Sequence, residues 1–503
     1  MTARGKVIGY FPSIVKQREK TRLMKLLDVT RAKDDSQRLE KLRLAAEALD
    51  HYDSQRHDVD IKAGAVQIVC SILRSCSPFF IAKSELIKCC CIILLQLYRC
   101  SRDRARASFC TDGFVLITNL LEVIEINYRL GKLGDPKCLL LANDVIYKLL
   151  DVANVPLNMV KNKDELLSSL VSNIKGASGK YVMHLSLRSI ARLTEHVENK
   201  RFMVAFKEIL DAVEVGSRHI DRSVKEEAAQ ILLNLAWEPT NKSKILERIE
   251  TILSLVAGEG GSTASQSHAL QTLGLLASDI SNKIYLVNFK DGAILSTLLQ
   301  LAWSDTSQAN ISIDATRIFG YLICRATALK VGSLPDVFTT LSSLACRVDE
   351  LAPLAAKAIY KMATFIHHHS KMTEKDLNAH SSMLQAIVTI SYGKSPETLK
   401  YAVKAYSEQA QFLHDRIQMI RHKGLLSALS MLTHDENDYV NDCAKEVLIA
   451  LACDVAEAKD TSVEKLLRCV PMKNKKKDQL PRCYSPTSVL DEFHFEADFQ
   501  SFC

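Results

Sequence analysis

The sequence predicts an all-α fold, and three observations support this prediction. Apolar residues keep helical spacing with few breaks from residue 35 to about residue 460. Within this stretch a unit recurs, made of a helix, a polar turn, a short helix, a sharp bend and a further helix. Four asparagines mark the recurrence at separations of 41, 42 and 41 residues: Asn158, Asn199, Asn241 and Asn282. Because a period of about 40–47 residues in a helical chain is typical of an α-solenoid, we expect an α-solenoid of about nine or ten three-helix repeats.

The chain divides into three parts by composition. Residues 1–34 are basic and contain Pro12, which predicts a basic leader or a first capping helix; a mitochondrial presequence shares the basic, acid-poor character. Residues 35–460 hold the predicted helical repeats. Residues 461–503 contain three prolines and no sustained periodicity, which predicts a disordered tail with a basic and then an acidic-aromatic segment.

Two residue types have a physical reason to recur at the turns. We expect each of the four asparagines to cap a short helix by accepting a hydrogen bond from a backbone N–H of its first turn. Glycine suits a steep bend because it tolerates a positive φ and a close approach of backbones. The predicted bend glycines are Gly64, Gly113, Gly292 and Gly424. The sequence Ser395-Pro396-Glu397 predicts a further helix start, with proline in the first turn.

Composition argues against several classes of function. The formal net charge is +7 and aromatic residues make up 6% of the chain, which does not favour a nucleic-acid-binding surface. The 15 cysteines form no CxxC pair, and no apolar secretory segment follows Met1, so we expect reduced thiols in the cytoplasm or the nucleus. Cys89, Cys90 and Cys91 lie in an apolar helix and are expected to be buried. No apolar run reaches the ~18 residues of a membrane span.

No pattern predicts catalysis, a metal or a cofactor. The glycine-rich stretch at residues 258–265 lacks the Lys-Ser/Thr pair of a phosphate-binding loop. His367, His368 and His369 are adjacent, and adjacent side chains on a helix point ~100° apart, so the three cannot converge on one ion. We therefore expect a non-enzymatic protein.

Two blocks of the chain resemble armadillo repeats. They are residues 228–245 (AAQILLNLAWEPTNKSKI) and residues 267–302. They are similar to that family in the A-x-x-x-L-x-N-L-A third helix, the Asn-opened short helix and the Gly-Ala-Ile start of the second helix. The resemblance covers most of residues 35–460 and is sharpest between residues 183 and 302. It implies an armadillo-like superhelix that binds peptides or proteins along its concave face, without specifying the partner.

The resemblance also indicates which residues would face this groove. Alignment of the third helices on Asn234 gives two positions, four residues apart and therefore on one helix face, in each repeat. The candidate groove residues are Lys148, Arg188, Arg192, Gln230, Asn234, Gln271, Arg317, Tyr321, Lys357 and Lys361. They are basic on both sides of a polar, uncharged centre. Such a groove favours an acidic or phosphorylated extended segment, although lysine and arginine also occur on helix faces that only contact solvent.

The sequence therefore predicts a protein-interaction scaffold or adaptor. The alternatives are a co-chaperone or assembly factor that clamps a folded partner, and an importin-like nuclear transport receptor. Importin-alpha-like grooves repeat a tryptophan and an asparagine, whereas here only Asn234 keeps the asparagine, and Trp237 and Trp303 lie at other positions. An RNA-binding repeat would need base-reading side chains at fixed positions, but the groove positions vary from Leu275 to Lys361.

The end of the chain suggests a second hypothesis. Acidic residues alternate with aromatic ones there: Asp491, Glu492, Glu496 and Asp498 with Phe493, Phe495, Phe499 and Phe502. This segment complements a basic groove, and the chain from Asp460 to Phe493 could reach ~110 Å, so the tail could bind the groove of its own chain. A disordered tail, or a motif for another protein, is the alternative. Residues 473–477 resemble a short nuclear localisation signal.

Overall fold

A computed structural model describes residues 34–50, 65–76, 80–100, 117, 120, 121, 123, 124, 135–153, 163–176, 180–303, 309–347, 349–367 and 372–458. Every regular element in these ranges is an α-helix or a short 3₁₀ turn, and no strand occurs among them. The predicted all-α class is therefore confirmed. The predicted leader up to residue 33 and the predicted tail at residues 461–503 lie outside the described residues. Among the helices that are described, none is long and apolar enough to cross a bilayer.

The chain divides into two compact units, Met1–Asn241 (unit 1) and Lys242–Cys503 (unit 2). The helices of unit 1 are α1 (Asp35–Asp50), α2 (Ala65–Cys76), α3 (Phe80–Cys100), α4 (Pro136–Ala153), α5 (Lys163–Lys175), α6 (Lys180–Glu195), α7 (Val197–Ala205), α8 (Lys207–Ser217) and α9 (Arg222–Ala236). Its long helices pack in chain order as a first row, α1 on α3, α3 on α4, α4 on α6 and α6 on α9. A second row covers them, with α5 on α6, α8 on α9, and α5 on α8.

Unit 2 repeats this two-row packing within itself. Its helices are α10 (Lys242–Leu246), α11 (Ile249–Val256), α12 (Thr263–Leu276), α13 (Ile280–Asn288), α14 (Ala293–Trp303), α15 (Ala309–Leu322), α16 (Ala328–Gly332), α17 (Val337–Ala345), α18 (Leu351–Phe365), α19 (Glu374–Ile390), α20 (Pro396–Gln409), α21 (Leu413–Arg421), α22 (Leu425–Leu432) and α23 (Asp438–Ala458). The first row is α12, α15, α18, α20 and α23, each packed on the next. The second row is α14, α17, α19 and α22, and each of these also packs on a first-row helix.

The core lies between the two rows and is built from side chains at helical spacing. In α9, Val224, Ala228, Ile231 and Leu235 are fully buried. Burying a leucine, isoleucine or valine stabilises the fold by about 1.5–3 kcal/mol, so several such residues on each helix hold the rows together. In the first row, small residues let neighbouring helices approach; the clearest case is α18, with Ala355 and Ala356 fully buried.

The three consecutive cysteines are buried in α3, as predicted. Cys90 and Cys91 are fully buried and Cys89 is nearly so. Burial raises the pKa of the Cys89 and Cys91 thiols, because it disfavours the thiolate. These thiols stay protonated near neutral pH and pack as small apolar groups.

The predicted hydrogen bond of the recurring asparagines is wrong. Each described asparagine donates its side-chain N–H to the carbonyl six residues earlier, near the end of the preceding long helix. The bonds are Asn199 Nδ2 to Leu193 O (2.9 Å), Asn241 Nδ2 to Leu235 O (3.2 Å) and Asn282 Nδ2 to Leu276 O (3.1 Å). Asn158 lies outside the described residues.

For Asn199 and Asn282 the reason lies in where the short helices begin. Asn199 and Asn282 lie two residues inside α7 and α13, so a cap position is already filled by another residue. In α13 that residue is Asp279, whose carboxylate accepts from the Ser281 backbone N–H. The asparagine amide therefore donates to a carbonyl at the end of the long helix that has no partner within that helix.

The bend prediction is confirmed at two glycines. Gly292 and Gly424 have φ values of 93° and 86°, in the left-handed region. Gly64 and Gly113 lie outside the described residues. Pro396 opens α20 as predicted, with Ser395 at the N-cap, but the Ser395 side chain makes no capping hydrogen bond.

Candidate functional site

The ten candidate groove residues all lie on first-row helices, five in each unit. Unit 1 holds Lys148 on α4, Arg188 and Arg192 on α6, and Gln230 and Asn234 on α9. Unit 2 holds Gln271 on α12, Arg317 and Tyr321 on α15, and Lys357 and Lys361 on α18.

In unit 1, Lys148 and Arg188 both lie over the ring of Tyr147. The Lys148 ammonium lies 4.8 Å from the centre of the Tyr147 ring, and the Arg188 guanidinium lies 4.7 Å from the same ring. Arg188 Nε also lies 3.5 Å from Glu227 Oε1. The Glu227 carboxylate therefore offsets part of the positive field that Arg188 could offer a ligand, and the Tyr147 ring holds both cations against α4.

Arg192 forms an ion pair with a glutamate on its own helix. Its Nη1 lies 2.8 Å from Oε1 and 3.1 Å from Oε2 of Glu195, one turn along α6. Because both side chains are partly exposed to solvent, this pair contributes little to stability.

Asn234 and Gln230 form an internal hydrogen-bond network rather than an open polar surface. Asn234 Nδ2 donates to Ala191 O (3.3 Å) and Thr194 Oγ1 (3.0 Å) on α6, while its Oδ1 accepts from Gln230 Nε2 (2.8 Å). Asn234 is buried. Both amide hydrogens of Asn234 are therefore used to tie α9 to α6.

In unit 2, the first-row helices α15, α18 and α20 enclose a pocket of about 260 Å³, called here the unit 2 pocket. Its lining is Thr316, Arg317, Gly320, Tyr321, Pro353, Leu354, Lys357, Ala358, Lys361 and Tyr401. Four of the five candidate residues of unit 2 line this pocket, and Gln271 does not. The lining contains three cations and no acidic residue.

Lys361 forms part of the pocket wall. Its side chain is buried, with only 7% of the residue exposed, and its Nζ donates to Gly320 O at 2.9 Å on the neighbouring helix α15. The ammonium also lies 5.6 Å from the centre of the Tyr321 ring. The Gly320 carbonyl and the Tyr321 ring therefore hold the Lys361 side chain in the pocket wall.

Arg317 and Lys357 are more accessible than Lys361. Arg317 Nη1 lies 3.4 Å from Oδ1 of Asp314, one turn earlier on α15. Burial raises the pKa of Asp314 to about 6, although the charge of Arg317 opposes this shift. Lys357 is half-buried and forms no ion pair with another described residue.

Tyr401 was missing from the sequence-based set. The alignment on Asn234 assigned no groove position to α20, and so gave no reason to select it. The structure places Tyr401 in the pocket lining and 6.0 Å, between ring centres, from Tyr360 on α18. An aromatic residue early in a first-row helix is the signal that could have identified it.

The first histidine of the triplet serves a structural contact. His367 Nδ1 lies 3.0 Å from Asp415 Oδ2, and His380 Nε2 lies 3.2 Å from Asp415 Oδ1. Asp415 is fully buried, so this cluster joins α18, α19 and α21 inside unit 2. Across the described ranges, no group of three His, Cys, Asp or Glu side chains has a metal-binding arrangement. His368 and His369 lie outside these ranges.

Comparison with known proteins bears on the fold. No family model matches the sequence. No curated protein matches it either. Among solved structures, the crystal structure of an engineered protein from the Northeast Structural Genomics Consortium is similar, with a TM-score of 0.55 and 18% identity over 86% of this chain and 98% of that one. At this identity the likeness shows a shared helical fold alone.

Proposed function

We propose that the protein is a non-enzymatic scaffold or adaptor that binds acidic or phosphorylated protein segments, and that the unit 2 pocket is the main anion contact. One observation carries this proposal. Arg317, Lys357 and Lys361, on two neighbouring helices, line one pocket whose lining holds no acidic residue.

Electrostatics favours an anionic ligand. Hydrogen bonds from lysine and arginine to carboxylate or phosphate are roughly twice as strong as neutral ones. Each such bond contributes about 1.5–3 kcal/mol net. In the unit 2 pocket Lys361 is fixed by Gly320, and Lys357 remains available to a ligand.

The size of the pocket favours one side chain over a whole small molecule. Its volume of about 260 Å³ falls below the roughly 300–1,000 Å³ of sites for drug-sized ligands. A single glutamate, aspartate or phosphorylated side chain suits this volume. The remainder of an extended segment would then lie across the first-row helices.

The proposed function also depends on how the helices are arranged into repeats. We propose a right-handed, armadillo-like solenoid of about nine or ten three-helix repeats, in the cytoplasm or the nucleus. Two features support it: the two-row packing within each unit, and the asparagine bond that recurs at Asn199, Asn241 and Asn282. Repeats of this kind use their inner helices to bind extended segments.

The test uses degenerate peptide libraries, because the partner is not identified. Three libraries share random flanks around a fixed centre of glutamate, phosphoserine or lysine, and are passed over the immobilised full chain. We expect retention of the glutamate and phosphoserine libraries, with retention falling as salt rises from 50 to 500 mM. Retention of the lysine library instead, or of none of the three, would overturn the proposal.

A pair of variants ties this binding to the pocket. Lys357→Glu reverses a charge in the pocket lining, while Lys394→Glu makes the same change at an exposed residue outside it. If Lys357→Glu alone loses the acidic peptides, the assignment of the anion contact to the unit 2 pocket is supported. If both variants lose them equally, this assignment is refuted.

A further inference from the structure

The acidic-aromatic segment at residues 491–502 has the chemistry to place one carboxylate in the unit 2 pocket. It carries four carboxylates, and the pocket lining carries three cations and no acid. We propose that this segment binds the unit 2 pocket of its own chain and competes there with partner segments. The inference rests on the proposed function, because it assigns a regulator to the same anion-binding site.

The pattern of the segment matches the mixed lining of the pocket. If the segment is extended, alternate residues point to opposite sides. Phe493, Phe495 and Phe499 would then share one side with Asp491, and Glu492, Glu496 and Asp498 would share the other with Phe502. The pocket lining likewise combines cations with apolar and aromatic groups, among them Pro353, Leu354 and Tyr401. A segment that is only acidic would leave these apolar groups uncovered.

The chain between helix and segment is long enough. Helix α23 ends at Ala458, and 32 residues separate it from Asp491, which allows a span of up to ~110 Å. The pocket helices α15, α18 and α20 lie one to three first-row positions from α23, or at most ~30 Å at 8–10 Å per helix pair. The 21 residues of α23 add at most ~32 Å.

Tethering makes even a weak contact effective. A segment joined by a connection whose length suits the distance to its site acts at an effective concentration on the order of 1 mM. If the free segment bound with a dissociation constant of ~0.1 mM, it would occupy the pocket about 90% of the time and weaken a competing ligand about tenfold. The proposal therefore predicts masking of the pocket in the full chain.

The principal experiment keeps the full chain and neutralises the segment. The variant carries Asp491→Asn, Glu492→Gln, Glu496→Gln and Asp498→Asn. The probe is a fluorescein-labelled dodecapeptide of alternating glutamate and glycine, and its affinity is measured by fluorescence anisotropy at 100 mM salt. We expect the variant to bind the probe about tenfold more tightly than the wild type, and deletion of residues 485–503 to have the same effect.

A matched control separates masking from overall charge. Asp164→Asn, Glu165→Gln, Glu198→Gln and Glu208→Gln change the net charge equally, at exposed residues in the first turns of α5, α7 and α8. This control should change the affinity less than about twofold, since salt screens exposed charges that do not line the pocket. Equal tightening in the control and the tail variant would overturn the proposal.

The outcomes distinguish this inference from the proposed function. Salt-dependent binding of the probe with equal affinity for the wild type, the neutralised tail and the deletion would refute the tail contact and leave the anion site intact. Absence of probe binding in all three would refute the anion site. A direct binding experiment adds a labelled peptide of residues 485–503 to the chain that lacks these residues. We expect the peptide to bind. Its binding should be lost when this chain also carries Lys357→Glu and kept when it carries Lys394→Glu.

Discussion

The two units carry cations at equivalent positions of their first-row helices but use them differently. In unit 1, Arg188 lies near Glu227 and over the Tyr147 ring, and Arg192 pairs with Glu195. In unit 2, Lys357 and Lys361 line a pocket that holds no acidic residue. A basic side chain at one of the candidate groove positions is therefore not enough by itself for the anion site that we propose. Whether its charge remains available to a ligand depends on the residues one turn away and on the gap between neighbouring helices.

The largest effect on binding is expected at Lys357. Lys357→Glu removes one charge-assisted bond and adds a repulsive carboxylate, so we expect the affinity for the glutamate-glycine probe to fall about 30-fold or more, corresponding to ~2 kcal/mol. Fluorescence anisotropy gives the affinity and circular dichroism checks the fold. Lys357→Ala, which adds no repulsion, should give a smaller loss in the same direction. If both variants bind the probe with an affinity within twofold of the wild type, the unit 2 pocket is not the site that binds it.

The contrasting residue in unit 1 is Asn234. Asn234→Leu removes the hydrogen bonds to Ala191 O and Thr194 Oγ1 and leaves Gln230 without its acceptor. We expect the free energy of unfolding to fall by about 1.5 kcal/mol, measured by urea denaturation, while probe affinity stays within twofold. Gln271→Leu on α12 serves as the control, with a smaller change in stability. Lost probe binding at full stability would show that Asn234 contacts the ligand.

Asp314 adds a pH dependence to unit 2. Its folded pKa of about 6 is raised above the unfolded value, so the folded state binds the proton more tightly. Stability from this group is therefore highest below the unfolded pKa and declines as pH rises to about 6. Asp314→Asn should stabilise the chain at pH 7.5, with the gain shrinking toward pH 4.5, as followed by urea denaturation.

The same titration should alter ligand binding. At pH 5.5 most Asp314 is neutral and no longer competes for Arg317, so the wild type should bind the glutamate-glycine probe about threefold more tightly than at pH 7.5. In Asp314→Asn this difference should be smaller than in the wild type. The comparison between the two proteins cancels the titration of other groups. An identical pH profile in both would show that Asp314 does not control Arg317.

The smallest effect is expected at Arg192. Arg192→Gln breaks an ion pair with Glu195 that is partly exposed, and such pairs contribute ~0–1 kcal/mol. We expect less than a twofold change in probe affinity and a change of at most ~0.5 kcal/mol in the free energy of unfolding. A tenfold loss of probe affinity would place the anion site in unit 1 and reverse the comparison.

Local sequence patterns predicted those features that depend on local chemistry. Helical spacing was enough for the all-α class, and the need for a positive φ identified Gly292 and Gly424. The apolar surroundings of Cys89, Cys90 and Cys91 predicted their burial. Each of these features depends on neighbours along the chain, which the sequence displays directly.

Features that depend on a second helix were not predictable in the same way. The asparagine bonds required knowing at which residue each short helix begins, and helix boundaries are the part of a helix that sequence patterns define least well. Lys361 was expected to face a ligand, but its contact with Gly320 O depends on how α15 and α18 pack. The pocket itself is a gap among three helices, and Tyr401 enters it from the helix that the alignment omitted.

The most direct test maps where an acidic ligand binds. The glutamate-glycine probe carries one photoreactive benzoylphenylalanine, is crosslinked to the full chain with the neutralised tail, and the attachment sites are read by mass spectrometry. We expect the crosslinks to fall on α15, α18 and α20, around Arg317, Lys357 and Tyr401, and to disappear with Lys357→Glu. Crosslinks confined to α4, α6 or α9 would contradict the assignment of the anion site to the unit 2 pocket.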